Sequence, residues 1–316
     1  MIELHASGPY APLILRPDAL AAGATDRELR RLLRTRVLHR VRPGAYVATA
    51  TWESLDPAGR HALLSRAVLS HAGTEVVLSH VSALPEYDAP TWRIPLEVVH
   101  VTRRDRRAGR NEAGVRQHQG RLGDVDVVTR NNVPVTSATR LAIDITTVAE
   151  TEPALAVVND LLHRHLTSLE AIEARYASMT HDPYTLGTGL VLLLADGRIE
   201  SVGETRTFFC CWRHSLPAPQ PQWEVRDHAG LIVARLDLAW PELGAWVEFD
   251  GRQKYTRYLR KGESITDAVL REKQREDMIR ELTGWRCLRI TWADLNEPER
   301  LAQRIRSFLR ATTAVA

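Results

Sequence analysis

Three acidic side chains fall where a β-hairpin should show only alternating apolar and neutral positions. In GLIVARLDLAW (230–240), Ile232, Ala234, Leu236 and Leu238 alternate with Val233, Arg235 and Asp237. In GAWVEFDG (244–251), Val247 and Phe249 alternate with Trp246, Glu248 and Asp250. This two-residue period predicts two strands, each with one buried face. The Pro-Glu-Leu-Gly turn between them predicts antiparallel pairing, with Asp237 near Glu248. Like charges opposed across a sheet are destabilising. A divalent cation would remove that cost, and hard ions such as Mg²⁺ or Mn²⁺ take one or two carboxylates, keeping water and phosphate as further ligands. Asp237, Glu248 and Asp250 are therefore the expected metal ligands.

Other charged groups extend the set. Upstream, IESVGETRTFFCCWRHSL has Val202, Thr205, Phe208, Phe209 and Trp212 at helical spacing, with Glu204 off the main apolar stripe. Just past Asp250 stands Lys254, suited to steadying a phosphate or an attacking water. Glu204, Asp237, Glu248 and Lys254, in the order helix, strand, strand, loop, are the groups that metal-dependent phosphodiester hydrolysis uses.

The elements around them complete a module. TDAVLREKQREDMIRELTG (266–284) reads as a long polar helix touching the core through Val269, Met278, Ile279 and Leu282, and ending at Gly284. Its Arg271, Lys273, Arg275 and Arg280 interleave with acids, as on a salt-bridged solvent face. Residues 285–290 read as a third strand, and ERLAQRIRSFLRA as a helix with Leu301, Ile305 and Leu309 on one stripe. Helix, strand, strand, helix, strand, helix predicts a small mixed sheet flanked by helices.

The motifs S-x-G-E-T-R, L-P-x-P-x-x-Q, R-x-D-L-A-W-P, V-E-F-D-G-x-x-K-Y, D-x-x-R-E-L-x-G-W and L-R-I-T-W-A-D-L follow one another from Ser201 to Leu295. This third of the chain resembles the very-short-patch-repair-like branch of the PD-(D/E)xK nuclease superfamily. The resemblance implies that Glu204 is the helix acid, Asp237 the central metal ligand and Glu248 the next-strand acid. Two residues after that acid the superfamily usually has Lys; here it is Asp250. Where many members of the branch have His, Lys254 stands. That departure admits a catalytically inactive descendant. The repair enzymes also carry a structural zinc, for which Cys210, Cys211 and Cys287 offer no such site.

The front of the chain carries a second signal. Residues 17–22 read as a short helix, Gly23 as a turn, and Thr25 with Glu28 as the capping box of a second helix with Leu29, Leu32 and Leu33 buried. VLHRVRPGAYV then reads as a two-stranded wing with Pro43-Gly44 at its tip. Helix, turn, helix and wing predict a winged helix-turn-helix. Arg27, Arg30, Arg31, Arg34, Arg40 and Arg42, with Arg36, would set cations against DNA phosphates. Leu29-Arg30-Arg31-Leu32, Arg34, Arg40-Val41, Gly44 and Tyr46, followed by V-L-S-H-x-S-A-L at 77–84, resemble the AbiEi-type antitoxins. That resemblance covers the first half of the chain and implies a transcriptional repressor with a cognate toxin as partner.

The expected division is 1–50 winged helix-turn-helix, 51–150 an α/β middle region, 151–185 a helical connector and 186–316 the nuclease-like domain, within a mixed α/β class. In the middle region, 61–73 and 135–147 read as helices, 96–102 and 125–129 as strands, and RRDRRAGRNEAG (103–114) as a solvated basic loop. His80 and Ser82 are ascribed to packing and capping, and 181–189 to a linker. Three cysteines cannot build a disulfide framework and suit a reducing cytoplasm. No apolar run is long enough to span a membrane, no signal peptide is evident, and a net charge of +3 permits nucleic acid without requiring it. The expected activity is DNA endonucleolysis; the rival is a repressor or antitoxin whose rear domain is inactive.

Overall fold

A computed structural model describes residues 10, 12–105, 107, 109–179, 186–251 and 265–313. The fold mixes helices with three separate sheets, as the α/β class anticipates. The chain forms two compact units, residues 1–157 with 166–193, and 158–165 with 194–316.

The first unit opens with β1 Ile14–Leu15, α1 Arg16–Ala21, α2 Asp26–Arg34, β2 Leu38–Arg42 and β3 Ala45–Ala48. The strands pair in the order β1-β3-β2, so β2 and β3 form an antiparallel hairpin after the two helices. Thr25 caps α2 reciprocally: its hydroxyl accepts the Glu28 N–H, and the Glu28 carboxylate accepts the Thr25 N–H. Leu29 is buried among Ile14, Ala19, Ala24, Leu38 and Tyr46, with Leu32 and Leu33 packed beside it. Gly44, at φ 80, takes a left-handed conformation in the turn between β2 and β3.

After α3 Thr49–Ser54 and α4 Pro57–Ser70 comes a six-stranded mixed sheet of β4 Val76–Leu78, β5 Val99–Arg103, β6 Asn111–Glu112, β7 Val115–His118, β8 Val127–Arg130 and β9 Val133–Thr136. Its order is β6-β7-β5-β4-β9-β8. The strands read at 96–102 and 125–129 correspond in part to β5 and β8; β4, β6 and β7 were not anticipated, and β9 takes Val135 and Thr136 from the segment read as helix. The basic segment 103–114 is not wholly loop, because its end forms the β6–β7 hairpin. Ala113 and Gly114 both take positive φ there, as a two-residue hairpin turn demands. Helices α5 Ala138–Thr146, α6 Thr151–His163, α7 Leu169–Ala177 and α8 Leu186–Leu194 follow. Of the expected linker, 181–185 lie outside the described residues and 186–189 are helical.

The second unit contains α9 Val202–Arg213, β10 Gln220–Arg226, β11 Ile232–Trp240, β12 Ala245–Asp250, α10 Ile265–Thr283, β13 Arg286–Thr291, α11 Trp292–Leu295 and α12 Pro298–Thr313. The sheet runs β10-β11-β12-β13, antiparallel except for the parallel pair β12–β13. β10 was not anticipated, since prolines at 219 and 221 obscure its pattern. One face of the sheet buries Leu238, Trp240, Val247 and Phe249 against Cys211 of α9 and Leu301, Ile305 and Leu309 of α12. The other buries Ala234, Leu236, Ala239 and Trp246 against Ile279, with Met278 and Leu282 beside them. Val269's side chain lies outside the described set.

Candidate functional site

The motif S-x-G-E-T-R is the N-terminus of α9, and each of its residues has a separate task. Ser201 is the N-cap: its hydroxyl accepts the Glu204 N–H at 3.2 Å and donates to Glu204 Oε1 at 2.7 Å. Gly203 allows close approach, because a Cβ there would meet the Phe249 ring at 2.1 Å. Thr205 receives the Asn159 side-chain amide at 3.2 Å, and Arg206 Nη2 donates to the Leu295 carbonyl at 2.6 Å. Phe249 in turn meets Trp292 edge to face, with centroids 5.1 Å apart. Motifs distant in the chain thus pack against one another and set Glu204 beside β11 and β12.

Those two strands part at the site. Their backbone pairing runs from Trp240↔Ala245 to Leu238↔Val247. Beyond that, β11 continues against β10 to Ile232, and β12 against β13 to Asp250↔Thr291. At the mouth of this fork Asp237 Oδ2 accepts the Phe249 N–H at 2.9 Å, in place of a main-chain partner.

The simple alternation expected of β11 does not hold. Leu236 packs with Ala234 on the α10 face, whereas Leu238 packs with Trp240 on the α9 face. The phase changes at Asp237. Opposite it in β10 lies Gln222, at φ 52, between the paired residues Pro221 and Trp223. A left-handed residue inside a strand re-aims its neighbours, and Gln222 Nε2 reaches Glu204 Oε2 at 3.2 Å.

Glu204, Asp237 and Glu248 are all buried. Burial, then the nearby Asp237 carboxylate, pushes the Glu204 carboxyl up to about 7, against the hydrogen bonds from Ser201 and the Glu200 N–H. Glu248 lies two residues past Trp246 on the α10 side, where Arg275 bonds to Oε1 and also donates to the Arg235 carbonyl at 3.1 Å. Arg275 therefore leaves the solvent-face pattern, unlike Arg280, which pairs with Glu276. Asp250 is half-buried at the end of β12, and Lys254 lies outside the described residues. The structure joins Glu204 to Asp237 and Asp237 to the strand of Glu248. Among the described residues, the three-donor group whose ligand atoms all approach within 4.8 Å is a histidine set, not these acids.

Sequence reasoning missed Gln222 and Arg275 as site residues. Gln222 had a signal, as the terminal residue of L-P-x-P-x-x-Q. Arg275 had none, since one arginine in a charged helix resembles the next.

In the first unit, Arg27, Arg30, Arg31 and Arg34 recur on one side of α2 and are exposed, as is Arg40; Arg42 is half-buried. Arg16, held by Asp26 at 2.7 and 2.8 Å, lines a shallow pocket with Leu29, Arg30, Leu33 and Tyr46. Among the described residues no helix is long and apolar enough to cross a membrane.

No protein-family model matches this chain, and no curated protein matches it.

Proposed function

We propose that this is a cytoplasmic DNA-binding protein that presents a metal-dependent endonuclease site to duplex DNA. One observation carries the reading: Glu204 and Asp237 are buried together where β11 and β12 part, with Glu248 adjoining the N–H that Asp237 holds. A buried carboxyl whose proton affinity is raised by burial and by a neighbouring carboxylate works against folding. Folds retain such local conflicts chiefly at sites of function.

The donors are all oxygen, the set that suits a hard divalent ion such as Mg²⁺ or Mn²⁺. Asp237 and Glu248 would hold it, with Asp250 at the strand end. When bound, such an ion polarises the phosphodiester and lowers the pKa of a ligated water. The chain's own groups do the remaining work. Ser201, the Glu200 N–H and Gln222 orient Glu204. With its carboxyl near 7, Glu204 is suited to proton transfer at neutral pH. Lys254 is assigned to offset charge that develops on the phosphate. The exposed arginines of α2, with Arg40 and Arg42 of the wing, neutralise backbone phosphates.

One observation favours a second reading, a repressor or antitoxin with a cognate toxin and an inactive rear domain. Arg275 occupies Glu248, and Asp250 stands where the resemblance would put lysine. Purified full-length protein with supercoiled plasmid and Mg²⁺ or Mn²⁺ decides between them. Nicking that EDTA abolishes supports the enzyme. Intact plasmid, linear and mismatched DNA gives preference to the repressor.

A further inference from the structure

Three histidines from three separate elements meet inside the first unit. His80 begins the 3-10 helix His80–Tyr87, His100 lies in β5 and His118 ends β7. In the parallel register His100 stands opposite Arg116, so His118, two residues on, shares its face of the sheet. His80 is held at φ 50, a left-handed conformation uncommon for a residue with a side chain. One nitrogen from each ring lies within 4.8 Å of the other two, and His118 Nε2 is 3.0 Å from His100 Nδ1. Two donors on a tetrahedral zinc at ~2.0–2.1 Å are themselves ~3.3 Å apart.

The surroundings extend the pattern. His80 Nδ1 is 2.9 Å from Ser79 Oγ, which also accepts the Thr102 hydroxyl at 2.8 Å. Asp144 is 1% exposed; Arg140 Nε donates to its Oδ1 at 2.7 Å. The other oxygen, Oδ2, has no hydrogen-bond partner among the described residues and lies 3.9 Å from His80 Nδ1. A buried carboxylate oxygen without a donor is costly. Behind a metal-bound histidine, a carboxylate on the second ring nitrogen is the usual arrangement.

We infer that His80, His100 and His118 bind one zinc-class transition ion, with Asp144 orienting His80 from behind. Imidazole donors suit zinc and its neighbours and exclude Mg²⁺ and Ca²⁺ as the preferred occupant. Burial keeps the rings unprotonated, the form that ligates. The rings of His80 and His118 lie nearly parallel, 13° apart with centroids at 3.6 Å. Parallel rings cannot both hold one ion in their planes. Binding therefore turns a ring out of the stack, with Nε2 of His80 taking the ion and its Nδ1–H directed at Asp144. The three rings fill three positions of a tetrahedral ion and leave the fourth to water; with His80 and His100 at most 6% exposed, the ion joins the 3-10 helix, β5 and β7. It is independent of the acidic site in the second unit.

The test is titration of full-length, EDTA-stripped protein with Zn²⁺ and Co²⁺. Expected are one equivalent of zinc bound per chain, the visible d–d absorption of four-coordinate Co²⁺, imidazole scattering at the zinc X-ray edge, and no competition from excess Mg²⁺. Changing a group behind a ligand typically lowers affinity ~10–100-fold, so Asp144→Asn should fall in that range and His118→Gln should lose at least ~100-fold. Circular dichroism of the metal-free variants checks that they fold. If they do not, the wild-type cobalt spectrum and zinc edge decide alone. An oxygen-only, six-coordinate spectrum, no binding at one equivalent, or undiminished binding by folded His118→Gln would overturn the proposal.

Discussion

Asp237 Oδ2 holds the Phe249 N–H at 2.9 Å, tying a side chain of β11 to the main chain of β12 just past their last backbone pair. The bond satisfies a donor that the parting strands leave without a ladder partner. It also places the carboxylate beside Glu204. A structural need and the proposed chemistry thus meet in one side chain.

Replacing it should separate the two activities. Asp237→Ala is expected to lower plasmid cleavage by ~10³-fold or more, the scale of electrostatic catalytic terms, while DNA affinity measured by anisotropy stays within about twofold. Cleavage that persists at the wild-type rate would remove this site from the mechanism.

Glu204 gives a stability effect of predictable sign. Its folded pKa, about 7, is raised above the unfolded value. The folded state therefore holds the proton longer, and the contribution of Glu204 to stability declines as pH rises from ~4 to ~7. In metal-free protein, Glu204→Gln should melt like wild type near pH 4 and be more stable above pH 7, by roughly 2–3 kcal/mol. Equal stability at pH 8 would show that the carboxyl is not strained.

Gly203 has no room for a methyl group, with Phe249 ring atoms 2.1–2.3 Å from an added Cβ. Gly203→Ala should destabilise the second unit by about 1–3 kcal/mol in urea denaturation. Combining it with Phe249→Leu should cost less than the sum of the two changes, because they share one contact.

In the first unit, Asp126 receives both Arg175 nitrogens, at 2.7 and 2.8 Å, and the Gly123 N–H at 2.8 Å. Burial pushes its carboxyl up, but these donors outweigh it and hold the pKa below the usual value. The resulting stability is present above the unfolded pKa and is lost as pH falls through the folded one. Asp126→Asn should cost on the order of 3 kcal/mol at pH 7, with the difference shrinking below about pH 4. A gap unchanged at pH 3 would contradict the pairing.

DNA affinity should fall steeply with salt. Each phosphate contact contributes about −0.9 to the slope of log K against log salt. Arg30→Ala with Arg34→Ala should therefore flatten that slope by about 2. Arg107→Ala, in the segment between β5 and β6, should leave it nearly unchanged. A flat response in the wild type would exclude phosphate binding as the main attraction.

Some features are legible from neighbouring residues alone. The Thr25–Glu28 box, the helix over 202–213, the turn at Gly44 and the strands around Asp237 and Glu248 rest on neighbours within a turn or a strand, where spacing and residue type suffice. The acids themselves were visible as charge among apolar strand residues and beside a helical stripe, but the burial of Glu204, Asp237 and Glu248 was not. Tertiary structure alone decided the fork after Leu238↔Val247 and the change of phase at Asp237. Both arise from a partner strand, β10, and from one left-handed glutamine within it. The same holds for Arg275 on Glu248, 27 positions apart, and for the convergence of His80, His100 and His118. Parity along a strand is a local property; which face a side chain finally occupies depends on every strand paired to it. Histidines brought together by a parallel register and a 3-10 helix leave no period to read, because the distance between them is set by the sheet and not by the chain.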